Sequence, residues 1–518
     1  MKENFCEKQN RQNSSQTFSE ISKMNKKFIN EKSAKIGFDN EKYIKIQSAK
    51  IRERIEKFGD KLYMEFGGKL FDDQHAARVL PGFDPRVKIE MLSELKDKLE
   101  MIFCISASDI DNQRIQSNHN LTYEAELINM IDDMKAREIA TAGVVITLFE
   151  NQPGAIKFKS YLEQRGIKVY CHTFTKGYPT DVDVIVSDEG YGAQPYIETT
   201  KPLIVVTAPG ANSGKLATCL AQLYHEHKRG IKAGYAKFET FPVWNLPLKH
   251  PVNMAYEAST ADSGDINMID NFFLEKYNKT AVSYNRDLAV FPILKNILHH
   301  IIGKDIYFSP TDMGVNMIGE CIVGDETVQR ASRDEIIRRY LNYLCDYKFG
   351  RFSKNVSNRV KLLMDEMEIS VDDRPVVKAA LNAREKKKAN IVAIELENGE
   401  IITGKDAKVI TASAAAILNA IKTLSNIDDK IHLISPNNLN PMLKIKREIY
   451  GESRLNILDV LMALAVGATD NSDIELALSN LKYLNKLEAH STVILRRSEI
   501  DTLKKLGLNI TCTDEFAY

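Results

Sequence analysis

The chain lacks an excess of charge of either sign: 70 lysines and arginines balance 70 aspartates and glutamates. A neutral chain offers no global electrostatic attraction to nucleic acid or to an anionic membrane. Its apolar runs fall well short of the ~18 residues that span a bilayer, and the first residues lack the apolar stretch of a signal peptide. These absences predict a cytoplasmic protein whose partners include neither nucleic acid nor a membrane.

Cysteine is scarce and scattered. The seven cysteines are Cys6, Cys104, Cys171, Cys219, Cys321, Cys345 and Cys512. Their number is odd and no two of them form a C-x-x-C pair. The pattern argues against a disulfide framework or a zinc ribbon and is typical of a reducing compartment.

At 518 residues the chain is too long for one ordinary core, so we expect several domains. Residues 1–37 are rich in Asn, Lys, Ser and Gln and poor in apolar residues, which predicts a mobile polar tail. An α/β domain is predicted over residues 38–250, a helical domain over residues 251–388 and a second α/β domain over residues 389–518.

Short apolar runs alternate with helical patterns in the first α/β domain. The runs are Lys61–Phe66, Met101–Ser106, Val144–Leu148, Lys168–Cys171, Val182–Val186, Leu203–Thr207 and Ala233–Phe238. Such alternation predicts βαβ units and therefore a mostly parallel, doubly wound sheet. Ligands in these sheets bind beyond the carboxyl ends of the strands.

In the last domain, the runs Val392–Leu396 and Glu400–Thr403 flank an Asn-Gly dipeptide, which is a hairpin signal. Two further strands are predicted at Ile431–Ile434 and Val493–Leu495, alternating with helices. The predicted fold class is therefore α/β, with a mostly parallel doubly wound N-terminal sheet, a helical middle domain and a second α/β C-terminal domain.

The most informative stretch is a Gly-rich turn between the predicted strand Leu203–Thr207 and a helical pattern. Its predicted phosphate-binding residues are Gly210, Ala211, Asn212, Ser213, Gly214 and Lys215. In such a turn, backbone N–H groups point into a concavity, the helix N-terminus adds partial positive charge, and a lysine supplies a mobile cation. The turn predicts a site for a phosphorylated ligand. The alternative is a Gly-rich turn with a solvated lysine.

This turn departs from the pattern G-x-x-x-x-G-K-[ST] at two places. Pro209 stands where the first glycine belongs, and Leu216 stands where a hydroxyl would ligate Mg²⁺. Leu216 also falls on the apolar face of the following helix, so we expect it to pack inward. Any Mg²⁺ is therefore expected to be held by ligand phosphates and by carboxylates from elsewhere in the chain.

Five segments carry a resemblance to a known family. They are Phe66–Asp73, His75–Gly82, Ser187–Gly192, Gly210–Lys215 and Ala236–Pro247. With these segments the chain resembles, from about Lys35 to Tyr518, the bacterial family called domain of unknown function 1846. The resemblance implies a cytoplasmic protein of α/β and helical subdomains around a nucleotide-loop-like turn, and it supplies no catalytic assignment.

Two adjacent acids follow the predicted strand Val182–Val186. Asp188 and Glu189 are expected to emerge at the same sheet edge as Lys215, where carboxylates hold Mg²⁺ or position a water. They are therefore predicted as metal ligands and as catalytic residues. The alternative is a solvated turn or a helix cap.

Basic residues near the first strand are the next candidates. Lys69 and Arg78 are predicted to add positive charge to the site, in catalytic roles. Asp72, His75 and Arg78 would share a helix face that suits a metal or an anion. The alternative is that Asp72 caps the helix and His75 is a surface residue.

The single tryptophan, Trp244, lies in a stiff, aromatic connection and is predicted to line a pocket. Asp312 and Asn316 are predicted to add polar groups to that pocket. Packing alone would equally explain the tryptophan.

Two functions remain open at this point. The first is an enzyme that binds a nucleoside triphosphate with Mg²⁺, or another phosphorylated small molecule, and transfers or hydrolyses a phosphoryl group. The second is a phosphometabolite-binding or regulatory protein without turnover, which the leucine at position 216 favours. A homo-oligomer is compatible with both.

Overall fold

The computed structural model describes residues 36–59, 61–115 and 121–516. The predicted mobile tail, residues 1–37, lies outside the described residues except for its last two. The chain forms two compact units. The N-terminal unit runs to Glu257 and also includes Gly264–Ser332, whereas the C-terminal unit contains Ala258–Ser263 and the chain from Arg333 onward.

The strands, in chain order, are β1 (Lys61–Phe66), β2 (Leu99–Ser106), β3 (Ala140–Thr147), β4 (Val169–Cys171), β5 (Leu203–Thr207), β6 (Ala233–Phe238), β7 (Asn267–Ile269), β8 (Val282–Tyr284), β9 (Ile391–Glu395), β10 (Ile401–Lys405), β11 (Glu488–Ser491) and β12 (Asn509–Cys512).

The α-helices, in chain order, are α1 (Asn40–Phe58), α2 (Gln74–Val79), α3 (Val87–Ser93), α4 (Ala107–Asp111), α5 (Tyr123–Ala136), α6 (Pro153–Gln164), α7 (Val182–Ile185), α8 (Lys215–Lys228), α9 (Pro251–Ser259), α10 (Asn271–Tyr277), α11 (Asn285–Ile302), α12 (Pro310–Met313), α13 (Asp325–Lys348), α14 (Lys354–Glu366), α15 (Pro375–Lys387), α16 (Ala412–Leu424), α17 (Pro436–Tyr450), α18 (Ile457–Gly467), α19 (Ser472–Ser479) and α20 (Arg497–Lys505). Short 3₁₀ turns occur at Lys96–Lys98, Tyr191–Ala193, Ile318–Cys321, Val371–Asp373 and Asn480–Leu484.

A six-stranded parallel sheet forms the centre of the N-terminal unit, with the order β4-β3-β2-β5-β1-β6. Every residue of β2 and of β5 is buried, as expected for central strands of a parallel sheet that is covered on both faces. The predicted α/β fold class is confirmed. The chain leaves β5 towards β6 but leaves β2 towards β3, in opposite directions, so a crevice is expected between the carboxyl ends of these neighbouring strands.

The strand predicted at Val182–Val186 is wrong. This segment contains the short helix α7, which Asp181 caps by accepting a hydrogen bond from the Val184 N–H at 3.1 Å. Ile185 is fully buried, with Val182 and Val186 packed against the same core. Three apolar residues at positions i, i+3 and i+4 fit one face of a helix, and this packing outweighs the strand preference of valine and isoleucine.

The C-terminal unit contains a four-stranded sheet with the order β10-β9-β11-β12. The predicted hairpin is confirmed, because β9 and β10 pair antiparallel across the Asn-Gly turn. The strands predicted at Ile431–Ile434 and Val493–Leu495 are wrong; β11 and β12 complete the sheet instead. β11 carries buried polar residues, including His490, whose ring nitrogens contact the hydroxyls of Thr511 and Thr513.

Residues 251–388 are mainly helical and also contain the antiparallel pair β7 and β8. Within the described residues, no helix combines the length and the apolar composition needed to cross a bilayer.

Gly234 on β6 gives a direct test of the packing between the sheet and α1. A Cβ at this position would lie 2.0 Å from Cγ of Phe58, the last residue of α1. We expect Gly234→Ala to lower the free energy of unfolding by about 1–3 kcal/mol through overpacking. Trp244, the only tryptophan, belongs to the N-terminal unit, so its fluorescence during thermal unfolding reports this change.

The double variant Gly234→Ala with Phe58→Ala is the control. Without the ring, the added methyl group has space, so its further cost should vanish. An equal loss in both backgrounds would mean that the glycine is needed for another reason.

Candidate functional site

The Gly-rich turn between β5 and α8 is held from β3, which lies beyond β2 in the sheet. The Thr147 hydroxyl donates to the Ser213 carbonyl at 3.0 Å, and the Ser213 hydroxyl donates to the Gly210 carbonyl at 2.7 Å. Gly214 has φ +79°, and a Cβ there would lie 2.7 Å from the Thr147 methyl group. Only glycine fits this conformation in this space.

The Gly-rich turn contains backbone N–H groups that donate to no described residue. Among the described residues, no backbone acceptor is paired with the N–H groups of Ala211, Asn212, Gly214 or Lys215. The first paired N–H of α8 is that of Thr218, which donates to the Gly214 carbonyl at 3.0 Å. The turn therefore presents donors and a helix N-terminus at the carboxyl end of the central strand β5.

The Lys215 side chain is half-buried, and no described residue forms a hydrogen bond or an ion pair with its ammonium group. Leu216 is half-buried and packs against the core, as its position on the apolar face of α8 indicates. The Thr218 hydroxyl is buried and accepts a hydrogen bond from the Cys104 thiol at 3.5 Å. Neither position offers a free hydroxyl beside Lys215.

The structure places Asp188 and Glu189 away from Lys215. Asp188 Oδ1 accepts hydrogen bonds from the Tyr224 hydroxyl at 2.8 Å and from Lys228 Nζ at 2.5 Å. Tyr224 comes nine residues after Lys215 on α8, which is roughly 13 Å along the helix axis. The expected position at the same sheet edge as Lys215 is therefore wrong, because α7 replaces the strand that would have led there.

Asp188 and Glu189 form surface ion pairs. The hydrogen bond from Lys228 holds the pKa of Asp188 below its ordinary value, and the hydrogen bond from Lys176 does the same for Glu189. Both carboxylates are exposed and charged. In the part of the chain that the structure describes, no three His, Cys, Asp or Glu side chains are grouped so as to hold a metal ion.

Lys69 follows β1, the neighbour of β5, so it lies at the same sheet edge as the Gly-rich turn; its carbonyl accepts from Lys88 Nζ at 3.0 Å. Arg78 is half-buried on α2. Asp73, rather than Asp72, caps α2 by accepting from the Ala76 N–H at 3.0 Å. The helix therefore begins one residue later than the sequence pattern indicates.

Trp244 and Asn316 come together. The Trp244 indole N–H donates to the Asn316 carbonyl at 3.0 Å, and the Asn316 amide donates to the Thr240 carbonyl at 3.0 Å. Asp312 has separate partners, since its Oδ2 accepts from the Tyr277 hydroxyl and from the Phe308 N–H, both at 3.0 Å. These contacts fix chain segments to one another.

A cluster of charged side chains that the sequence reasoning missed lies at the carboxyl ends of β1 and β6. Lys237 Nζ is 2.8 Å from Glu239 Oε1 and 2.6 Å from Asp287 Oδ2. Glu65 is paired in register with Lys237 on the neighbouring strand, and its Oε2 accepts from the Tyr235 hydroxyl at 2.7 Å. We call Glu65, Lys237, Glu239 and Asp287 the Lys237 cluster.

The Lys237 cluster and Lys215 lie on the same side of the sheet. Lys61 and Tyr63 contact Glu226 of α8, and alternate residues of a strand share a face, so Glu65 also faces α8. α8 is the helix that begins with Lys215. The cluster and the Gly-rich turn therefore lie at the same edge and on the same face of the sheet.

Electrostatics set the protonation of the cluster. Burial lowers the pKa of Lys237, but the carboxylates of Glu239, Asp287 and Glu65 outweigh it and raise that pKa above its ordinary value. Burial raises the pKa of Glu239 to about 7, with Asp287 and Glu65 adding to the rise and Lys237 opposing it. The side chains of Lys237, Glu239 and Asp287 still keep 17–24% of their surface exposed. A carboxylate that titrates near neutrality and remains accessible is typical of a functional site.

Space for Glu239 comes from Gly67, where a Cβ would lie 3.0 Å from the Glu239 side chain. One sequence signal points to this cluster: a charged residue, Glu65 or Lys237, interrupts the apolar run of β1 and of β6 at the fifth of six positions. Asp287 gives no such signal, because it comes from a helix 50 residues beyond Lys237.

We predict that Glu239 makes stability depend on pH. Its pKa is about 7 in the folded chain against an ordinary value of 4.5, so the folded state binds the proton more tightly. This contribution is complete below about pH 4.5 and is lost as the pH rises towards about 7. Glu239→Gln should remove this dependence and stabilise the N-terminal unit relative to wild type above neutral pH, measured by Trp244 fluorescence during thermal unfolding.

Glu163→Gln, on the surface helix α6, serves as the control and should leave the wild-type profile unchanged. Parallel pH profiles for Glu239→Gln and wild type would show that Glu239 does not titrate in this range.

Comparisons with known proteins identify the family of this chain. One family model, described as "Domain of unknown function DUF1846, N-terminal", matches residues 36–368, and its C-terminal counterpart matches residues 372–518. A UPF0371 protein of Clostridium botulinum (strain Langeland) is 52% identical over 475 residues, covering 90% of this chain and 94% of that protein. A UPF0371 protein of Clostridioides difficile (strain 630) is 50% identical over 475 residues, covering 90% and 95%. The chain therefore belongs to the DUF1846 family, as its segment resemblance predicted.

Proposed function

We propose that the chain binds a phosphorylated small molecule, such as a nucleoside triphosphate, in the turn Gly210–Lys215. The observation that carries this proposal is the open set of N–H groups in a turn held in place at the carboxyl end of the central strand. Gly214 and Lys215 are half-buried, whereas Ala211 and Asn212 are exposed. Unpaired N–H groups at a helix N-terminus are satisfied by a ligand or by water. Phosphate oxygens suit a helix N-terminus, and the ammonium group of Lys215 adds a full positive charge.

In the catalytic form of the proposal, the chain transfers or hydrolyses a phosphoryl group. The Lys237 cluster then supplies the carboxylate that Asp188 and Glu189 were expected to supply. Glu239 is the best candidate to accept a proton from an attacking water or hydroxyl, because its pKa lies near neutrality. Lys69, at the same edge, would add positive charge near the phosphates.

Magnesium remains a prediction of the sequence pattern. Leu216 provides no oxygen ligand and the Thr218 hydroxyl is buried. In the described residues, no three His, Cys, Asp or Glu side chains are grouped so as to hold a metal ion. The residues beside the turn therefore do not fit a protein-held Mg²⁺, and no step of the proposed reaction depends on one.

The leucine at position 216, which cannot ligate Mg²⁺, favours the second candidate. This candidate is a phosphometabolite-binding or regulatory protein without turnover. A screen by thermal shift with ATP, GTP, ADP, pyrophosphate, inorganic phosphate and sugar phosphates, each with and without Mg²⁺, identifies the bound class. Phosphate release measured on the stabilising compounds then separates turnover from binding.

Lys215→Ala should weaken binding of the best compound at least about tenfold, because a charge-assisted contact is worth roughly 1.5–3 kcal/mol. Isothermal titration calorimetry measures the change. Lys228→Ala, at the other end of α8, is the matched control and should bind as wild type does. Equal affinity of Lys215→Ala and wild type would remove Lys215 from the site.

For the catalytic form, Glu239→Gln should reduce phosphate release at least about tenfold while the affinity for the compound stays within about twofold, since general-base catalysis is worth 10²–10⁴. Asp188→Asn combined with Glu189→Gln removes two carboxylates distant from the turn and should retain wild-type turnover. Loss of turnover in that double variant alone would restore the original assignment of these acids.

A further inference from the structure

Helix α18 of the C-terminal unit has the composition of a buried helix but is half exposed. Of its eleven residues, Ile457–Gly467, only Asp459 is charged. Asp459 is used inside the chain, since it completes a capping box with Asn456 and pairs with Lys446 Nζ at 2.9 Å. A helix that is apolar on all sides is normally covered on all sides.

The exposed face of α18 is a regular apolar stripe. Leu458, Met462 and Val466 follow one another at a spacing of four residues, and they are 58%, 63% and 68% exposed. The opposite face carries Ile457, Val460 and Leu464, which are fully buried in the core of the unit. One face thus packs in the core of the unit, and the described residues leave the other face exposed.

The neighbouring helix α17 exposes further apolar side chains. They are Ile445, Ile449 and Tyr450, which are 52%, 71% and 68% exposed. The ion pair between Lys446 of α17 and Asp459 of α18 holds the two helices side by side. All six side chains are more than half exposed. Together they can supply a large part of the ~800 Å² per partner that a stable interface buries.

We propose that α18 is a dimer interface and that its occupant is α18 of a second copy of this chain, packed antiparallel about a two-fold axis at Met462. The stripe is self-complementary for this arrangement, because Leu458 and Val466 lie four residues before and after Met462. Each Leu458 then faces Val466 of the second copy, as a two-fold interface requires. Antiparallel packing also sets the positive end of one helix dipole beside the negative end of the other.

The large exposed apolar surface and the absence of charged residues on the stripe favour a second copy of the chain over a charged ligand. No charged residue lies on the stripe, so it offers nothing to an acidic or basic partner. This proposal concerns the C-terminal unit and is independent of the proposed phosphate-binding function.

The first test is the oligomeric state of the full chain, by analytical ultracentrifugation over a range of concentrations. Wild type is expected to be a dimer, and Met462→Lys should raise the dissociation constant at least tenfold by placing two like charges on the axis. Leu362→Lys, at a 68% exposed leucine of α14, is the matched control and should remain dimeric. A monomeric wild type, or a dimer that survives Met462→Lys, overturns the proposal.

Cysteine cross-linking tests the antiparallel geometry. Met462→Cys should form a disulfide-linked dimer, because this position lies on the axis. Leu458→Cys alone should not, since the two copies of that residue are roughly 12 Å apart along the helices, beyond the reach of a disulfide. Mixing Leu458→Cys with Val466→Cys should restore the cross-link.

Wild type under the same oxidant reports any linkage through native cysteines. Self-linkage of Leu458→Cys at the level of Met462→Cys would mean parallel packing and would overturn the proposed interface. Should wild type be monomeric, dye binding that increases on removal of residues 1–35 would identify that segment as the cover of the stripe, which also contradicts the second copy.

Discussion

The close approach of Gly214 to Thr147 is the constraint on which the geometry of the Gly-rich turn depends. A side chain at position 214 would collide with β3, and the Thr147 hydroxyl holds the Ser213 carbonyl from the same strand. Thr147 thus holds the Ser213 carbonyl, and among the described residues no backbone carbonyl accepts from the N–H groups of Ala211, Asn212, Gly214 or Lys215. Preorganised donors of this kind need no rearrangement when an anion arrives, which is the main energetic advantage of a phosphate loop.

The charged residues at the two ends of the six-stranded sheet differ in burial and in their ratio of positive to negative groups. At the amino end, Lys61 and Glu226 form a buried pair 2.8 Å apart, and the hydroxyls of Tyr63 and Tyr196 also donate to Glu226. These hydrogen bonds offset the desolvation cost and close that end of the sheet. At the carboxyl end, the Lys237 cluster has three carboxylates for one lysine and keeps contact with solvent. The Lys237 cluster, with excess carboxylates and access to solvent, is suited to proton transfer. The enclosed pair of Lys61 and Glu226 is suited to a structural role.

The sequence patterns predicted those structural elements that are determined by residues close together in the chain. The strand β5, the turn and α8 follow from an apolar run, two glycines and a helical repeat within 26 residues, Leu203–Lys228. The Lys237 cluster could not be predicted as a unit, because β1, β6 and α11 meet only in the folded sheet. Asp188 was predicted at the wrong position because the segment before it was predicted as a strand. The composition of Val182–Val186 fits either a strand or a buried helical turn, and only tertiary packing decides between them. β11 escaped prediction because two of its three buried residues, His490 and Ser491, are polar.

The strand order also sets how the protein emerges during synthesis. β1 pairs with β5 on one side and with β6 on the other, so its first partner, Leu203, is made about 140 residues after the strand itself. Until then β1 leaves the ribosome with both edges unpaired, and its apolar side chains depend on α1 for cover. Any fragment that ends before Phe238 lacks a neighbour for β1. Truncation within the first 238 residues therefore exposes an open strand edge, the feature that makes partly made chains prone to aggregation and dependent on chaperones.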